Sequence, residues 1–331
     1  MKPFMYVRAH SVDEASAAHA GRPASRYLGG GTNLVDLMKL GVESPRTLVD
    51  VSALPLDAVE ELHDGSVRVG ATVRNSDLAA HPLVRERYPV LSQALLAGAS
   101  GQLRNMATTG GNLLQRTRCP YFQDLGKPCN KREPGTGCGA RDGVHRDHAV
   151  LGHSPQCIAT HPSDMAVALA ALDAQVELYG PGGRRSVPAA EFHRLPGGRP
   201  DLDTEIKHGE LITGVLLPPV TAGLPSAYRK ARDRASYAFA LASVAVVLDV
   251  EGSVVREVRI AFGGLAHRPW RARRAERALL GGAPSEEAFR QAVEAELDAA
   301  EPLRDNAFKV PLARNLACDV LRRLAGRPPA S

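Results

Sequence analysis

Forty residues in the middle of the chain, Arg118 to Cys157, cannot build a core of their own. The segment reads RCPYFQDLGKPCNKREPGTGCGARDGVHRDHAVLGHSPQC. It carries four of the five cysteines (Cys119, Cys129, Cys138 and Cys157), set mostly among Gly, Pro, Asp, Arg, Lys and His. Buried apolar surface is too scarce there to offset the entropy of ordering it. The cysteine spacing is C-x9-C-x8-C-x18-C, without the close C-x2-C pairs that zinc sites usually present. Disulfides in three connectivities, zinc and an iron–sulfur cluster all stay open, and four thiolates without a close pair suit the cluster. Metal binding there would supply folding free energy that the missing core cannot. His145, His148, His153 and His161 could each replace a ligand, but as a group they read as surface residues. Cys318, in an amphipathic C-terminal pattern, reads as a small buried hydrophobe.

The rest of the chain has material for real cores. Its 331 residues, 44% hydrophobic and 23% charged, suit two or three soluble domains. Five cysteines in a chain of this size do not make a disulfide-dense scaffold. The net charge of +5 is scattered, which argues against a nucleic-acid partner. The longest nearly apolar run, Phe239 to Leu248, is far too short for a membrane span. "MKPFMYVRAHSVDEA" lacks a charged head followed by an apolar core, so the chain is expected to carry no export signal of its own.

Periodicity and punctuation place the elements. Ser11 caps a helix over "SVDEASAAHA", with Glu14 completing a capping box. A short strand, "SRYL", runs into "GGGTNLVDLMKLG", a glycine loop opening a helix. "TLVDVSAL" and "SVRVGATV" are strands. "NSDLAAHPLVRERYPVLSQALLAGAS" is helical, interrupted by Pro82 and Pro89. After a second glycine loop, "NMATTGGNLL", and the cysteine segment come helix "SDMAVALAALDA" and strands "QVELYG" and "ELITGVLLP". A linker is expected over Pro218 to Pro225. Beyond it, strands "SVAVVLDV" and "VREVRIAFGGL" and amphipathic helices "SEEAFRQAVEAELDA" and "KVPLARNLACDVLRRLA" make a separate α+β domain.

The two glycine loops share one expected chemistry. Leu28 to Asn33 and Thr108 to Asn112 place consecutive glycines where backbone N–H groups can converge on an anion, the first with a helix N-terminus behind it. Thr32, Asn33, Thr108 and Asn112 add side-chain donors, and two such loops suit a ligand with two phosphates. The alternative is a pair of tight turns. Neither the Rossmann fingerprint nor a Walker sequence is present. Ser163 and Asp164 are what capping and the helix dipole require at a helix start, and a carboxylate for ribose hydroxyls is the lesser reading. Cys119 follows Gly111 by eight residues, so at most about 28 Å separates them. A cluster there would sit near whatever the loops hold.

"LGGGTNLVDLMK", "ATTGGNLL", "PSDMAVALAALDA", "GELITGVLLP" and "YRKARDRASYAFALASVAVVL", in this order, resemble the FAD-binding subunits of the xanthine dehydrogenase family of molybdenum hydroxylases. The cysteine segment is similar to that of a subgroup, the periplasmic aldehyde oxidoreductases, whose FAD subunit carries an extra [4Fe–4S] cluster. The resemblance implies an α+β protein: a two-part PCMH-type FAD-binding domain over residues 1–220, with a cluster-binding insert at 118–158, then a flavoprotein C-terminal domain over 224–327. It implies that the FAD pyrophosphate lies on Tyr27, Leu28, Gly29, Gly30, Gly31, Thr32, Asn33 and Leu34 and on Thr108, Thr109, Gly110, Gly111 and Asn112. Asp164 would reach the ribose or adenine end, while Leu211, Ile212 and Lys230 would line the isoalloxazine. Cys119, Cys129, Cys138 and Cys157 would bind the cluster.

The same resemblance implies a heterotrimer. One partner would hold molybdenum, where aldehyde is oxidised to acid, and another two [2Fe–2S] clusters. This chain would pass their electrons through FAD to an external acceptor, with no catalytic acid, base or nucleophile of its own. The assembly would reach the periplasm folded on a partner's twin-arginine signal; without one the chain is cytoplasmic. Three rival readings stay open: the β subunit of a 4-hydroxybenzoyl-CoA reductase-like enzyme, a self-contained flavin dehydrogenase or oxidase, and a zinc-stapled binding module.

Overall fold

A computed structural model of the chain describes residues 1–220 and 224–326. The expected linker over 218–225 therefore lies partly outside the described residues, as does residue 327 at the end of the second expected domain. The fold is α+β, built on three sheets.

The first sheet is parallel: Met5–Arg8 and Ser25–Leu28 flank the buried strand Thr47–Asp50. Parallel strands need a crossover, and the helix Val12–Ala20 makes one from Met5–Arg8 to Ser25–Leu28, on the far side of Thr47–Asp50. Ser11 starts it, its side chain accepting from Glu14 N at 3.0 Å. Glu14 Oε2 in turn accepts from His10 N at 2.8 Å, so the reciprocal half of the capping box reaches one residue further back than expected.

The second sheet is antiparallel, in the order Val59–Glu61, Val67–Gly70, Leu211–Leu217, Gln175–Gly180, Gly183–Pro188. Its central strand, Leu211–Leu217, is almost wholly buried, whereas Gln175–Gly180 alternates buried and half-buried residues as a one-faced strand should. Helices Asn75–Ala80, Pro82–Arg87 and Pro89–Ala97 are separate pieces because each proline stands at a helix start, where its missing N–H is harmless. With the buried helix Asp164–Ala171 they form one core on this sheet.

The third sheet, also antiparallel, runs Trp270–Arg271, Val254–Gly263, Ala242–Glu251, Ser226–Ala231. Amphipathic helices Glu286–Leu297 and Lys309–Ala325 contribute to its core through Phe289, Val293, Leu321 and Leu324. Cys318 packs on that core half-buried rather than fully buried. Met5–Arg8, Val59–Glu61, Gly183–Pro188 and Ser226–Ala231 escape the sequence pattern. The last of these, SAYRKA, has none of the β-branched residues that mark a strand and lies at a sheet edge.

Candidate functional site

The first glycine segment is open to a ligand. Strand Ser25–Leu28 ends at Leu28 and helix Leu34–Lys39 begins six residues later. Among the described residues, none of the backbone N–H groups of residues 29–34 donates to another backbone group. Gly31 has φ +73°, the left-handed region that glycine tolerates. Gly30 lies so close to the second segment that a Cβ there would meet Met106 O at 1.8 Å.

The second segment departs from the expected loop. Thr109–Leu113 is the first turn of a helix capped by Thr108, whose hydroxyl accepts from Gly111 N at 3.2 Å. Thr109 N donates to Val73 O and Gly110 N to Ala71 O, at 2.9 and 2.8 Å. Its N–H groups are therefore largely committed, and only the first segment offers an unpartnered set. Asn112 is committed as well, its Oδ1 accepting from Ser163 Oγ at 2.6 Å and from Gln115 Nε2 at 2.9 Å.

Two cavities meet at these segments, both lined by Thr32, Asn33, Gly111 and Gln115. The wider, about 960 Å³, runs past Asp164 and Lys230 to Tyr121 and Cys119. The narrower, about 430 Å³, is lined by Tyr27, Gly29, Gly30, Leu211 and Ile212. Lys230, expected with Leu211 and Ile212, thus lines the cavity of Asp164, apart from those two. Lys230 Nζ donates to Asp164 Oδ2 at 2.7 Å in the wide cleft, linking strand Ser226–Ala231 to the start of the helix that Asp164 opens, while Leu211 and Ile212 begin a strand on the other cavity. Asp164 is also more than a capping residue: Tyr228 Oη donates to its other oxygen. Burial, with that carboxylate beside it, holds the Tyr228 phenol protonated, far above its ordinary pKa.

Cys119, Cys129, Cys138 and Cys157 line one small pocket together with Tyr121, Phe122 and Lys131. Cys119 lines both this pocket and the wide cleft. Among the described residues no three His, Cys, Asp or Glu side chains are grouped to hold a metal ion. Burial pushes the Cys119 thiol up to about 11. Cys138 is held toward its thiolate by a hydrogen bond from Cys157, whose own thiol is correspondingly pushed up.

The segment is tied down by polar contacts rather than by a core. Lys131 Nζ donates to Pro200 O at 2.8 Å and to Asp203, which also accepts from Arg116 Nε at 2.7 Å. Arg116 continues to Glu43 at 2.6 Å. Lys309, fully buried, donates to the carbonyls of Asp147, His148 and Gly264 at 3.2, 2.8 and 2.6 Å. Burial lowers its pKa to about 7. The expected surface histidines divide: His145 and His148 are buried, with His148 Nε2 3.1 Å from Cys119 Sγ, while His153 and His161 are half-buried. Lys131, Asp203 and Tyr228 all escape a reading of the sequence. Their partners are distant in the chain, and no local pattern distinguishes them from solvated residues.

A family model described as the FAD binding domain in molybdopterin dehydrogenase matches residues 2–220. A second, the CO dehydrogenase flavoprotein C-terminal domain, matches residues 226–326. The chain is 53% identical to the aldehyde oxidoreductase FAD-binding subunit PaoB of Escherichia coli strain K12, over 97% of this chain and 98% of that one. It is 30% identical to the glyceraldehyde dehydrogenase medium chain of Sulfolobus acidocaldarius, over 84% and 81% of the two chains. Among solved structures, a carbon monoxide dehydrogenase chain from Hydrogenophaga pseudoflava matches with a TM-score of 0.77 at 28% identity, covering 98% of this chain and 97% of its own.

Proposed function

The chain belongs to the FAD-binding subunits of the molybdenum hydroxylases, and from that premise we propose that it is the electron outlet of a heterotrimeric aldehyde oxidoreductase. One observation carries this reading: Cys119 lines both the four-cysteine pocket and the wide cleft that begins at the open glycine segment. The aldehyde class rests on the 53% identity to an aldehyde oxidoreductase subunit over nearly the whole length of both chains.

The donor set fits FAD. The uncommitted N–H groups of residues 29–34 suit a pyrophosphate. The narrow cavity with Tyr27, Leu211 and Ile212 suits adenine, and the wide one with Asp164 and Lys230 suits the larger isoalloxazine. This assignment exchanges the ends to which Asp164 and the Leu211–Ile212 pair were first given. Lys230 brings an ammonium to the ring, oriented by Asp164, which Tyr228 holds in turn. The segment 233–241 flanks the same cleft through Asp233, Arg234, Tyr237 and Phe239 and so controls approach to it.

The thiols fit a [4Fe–4S] cluster better than a single zinc. They share one pocket, yet no three of them are grouped for one ion, and in a four-iron cluster each thiolate takes its own iron. Near neutral pH the buried Cys119 would stay a thiol unless a strongly cationic core ionised it. When bound, the cluster exchanges single electrons, and FAD accepts electrons singly and releases them to an external acceptor. The partners on this reading are a molybdenum subunit and a [2Fe–2S] subunit, and a partner's signal carries the folded assembly to the periplasm.

The test is cofactor analysis of the anaerobically purified assembly, with each cysteine changed in turn to serine. The expected result is one FAD with about four irons and four sulfides assignable to this chain, the iron lost in every serine variant. FAD without that iron would overturn the cluster, and absence of both would overturn the function. Fractionation of cells expressing all three subunits tests the compartment.

A further inference from the structure

We infer that His148 donates a hydrogen bond to the sulfur of Cys119 and so sets the reduction potential of the cluster that this sulfur would hold. The inference rests on the cluster reading above and names a residue that tunes the potential of that cluster.

Three observations support it. His148 Nε2 lies 3.1 Å from Cys119 Sγ, within reach of a hydrogen bond to sulfur. The other ring nitrogen, Nδ1, is buried without a partner. A proton on Nδ1 would be an orphaned buried donor, whereas a bare Nδ1 lone pair is the lesser loss, so the proton belongs on Nε2, facing the sulfur. Finally, the backbone of His148 is pinned: its carbonyl accepts from the buried Lys309 Nζ at 2.8 Å and from Asn306 Nδ2 at 3.4 Å. The backbone that carries the imidazole is thus held by groups outside the cysteine segment.

The four sulfurs are not treated alike. Cys138 shares a hydrogen bond with Cys157, whereas among the described residues Cys119 alone of the four faces an imidazole nitrogen, at 3.1 Å. An N–H aimed at a ligand sulfur stabilises the more negative, reduced cluster and raises its potential. His148 and Cys119 are also the pair that lines the wide cleft. The sulfur whose charge His148 modulates is therefore the one nearest the expected flavin.

The experiment is an EPR-monitored redox titration of the assembled enzyme as wild type, His148→Leu and His148→Gln. Iron, sulfide and FAD contents are measured on the same samples. The leucine variant is expected to keep its cluster and show a lower midpoint potential, and glutamine, whose amide N–H can replace the imidazole, to recover most of the difference. An unchanged potential in the leucine variant, or equal shifts in both, overturns the inference. Should the leucine variant fail to assemble, pulsed EPR of reduced wild-type enzyme labelled with 15N-histidine decides: a nitrogen coupled to the cluster supports the hydrogen bond, and none overturns it. Iron-free wild-type enzyme would overturn the cluster reading itself, and is seen before any variant is made.

Discussion

Lys230 Nζ and Asp164 Oδ2 stand 2.7 Å apart, their side chains only 4% and 8% exposed. The pair joins strand Ser226–Ala231 of the C-terminal unit to helix Asp164–Ala171 of the FAD-binding unit, at the wall of the wide cleft. A buried ion pair is weak evidence of net stabilisation, but breaking one side of it is costly, because the other charge stays behind. Lys230→Met and Asp164→Asn are each expected to cost about 3–5 kcal/mol and to release flavin. The double variant should regain at least half of that stability while staying flavin-poor. Denaturant unfolding and flavin content of the three proteins check this, and strictly additive losses would show that the two residues act separately.

Gly30 makes a sharper case for the cavity geometry. A Cβ there meets the backbone oxygen of Met106 at 1.8 Å, so Gly30→Ala must push the two glycine segments apart. Flavin affinity is expected to fall at least tenfold, equivalent to about 1.4 kcal/mol. Gly101 is the control, because a Cβ there meets nothing within 4 Å. Gly101→Ala should bind flavin as the wild type does. Equal flavin titration curves for both variants would remove the close approach from the account.

What could be read in the chain beforehand follows from the range of the forces involved. Local devices were legible: Ser11, Ser163 and Ser285 each cap the helix expected after them, accepting from Glu14 N, Ala166 N and Ala288 N. Pro82 and Pro89 break the helical region where their chemistry says they must. The cysteine spacing left disulfides, zinc and a cluster open, and the four thiols line one pocket. Long-range pairings were not legible. Asp203 takes its partners from positions 72 and 87 residues away, and Asp164 takes Tyr228 and Lys230 from 64 and 66 residues away. Which cavity received Leu211 and Ile212 depended on the pairing of their strand with Val67–Gly70 and Gln175–Gly180, which periodicity does not encode. The second glycine pair shows the opposite error. It looks like the first in composition, but its N–H groups meet Ala71, Val73 and Thr108 and are not free for a ligand.

Lys309 tests how the cysteine segment is held before any metal arrives. Its ammonium donates to Asp147 O, His148 O and Gly264 O, joining the C-terminal helix to that segment. Burial disfavours the charge, lowering its pKa to about 7, so Lys309→Met gains something by deleting it. Against that gain, the carbonyls of Asp147 and Gly264 lose their donor, at about 1–3 kcal/mol for each left buried, while His148 O keeps Asn306 Nδ2. The acceptors win: a net loss of about 2–3 kcal/mol is expected. Faster proteolysis within 118–157 should accompany it. A variant as stable and as protease-resistant as wild type would show that the segment is ordered by other contacts.

Asp203 supplies the pH dependence. Burial alone would raise its pKa, but Arg116 and Lys131 outweigh burial and hold the carboxyl well below the usual range. Arg116 Nε reaches Oδ2 at 2.7 Å and Lys131 Nζ reaches the other oxygen. In the unfolded chain the group titrates near its ordinary value of about 3.9. Because the folded value is the lower one, the unfolded state binds more protons as pH falls through that window. The contribution of Asp203 is therefore fully present above the unfolded value and fades as pH falls below it. At pH 7 the wild type should exceed Asp203→Asn by about 3 kcal/mol, since the substitution strands the buried Lys131 ammonium and leaves Arg116 with Glu43 alone. Below about pH 4 the gap should narrow steadily. Urea unfolding of both proteins across that range reads it directly. A gap that stays constant down to the acid limit would mean that Asp203 acts through packing, and that the Arg116–Asp203–Lys131 contact carries no net charge stabilisation.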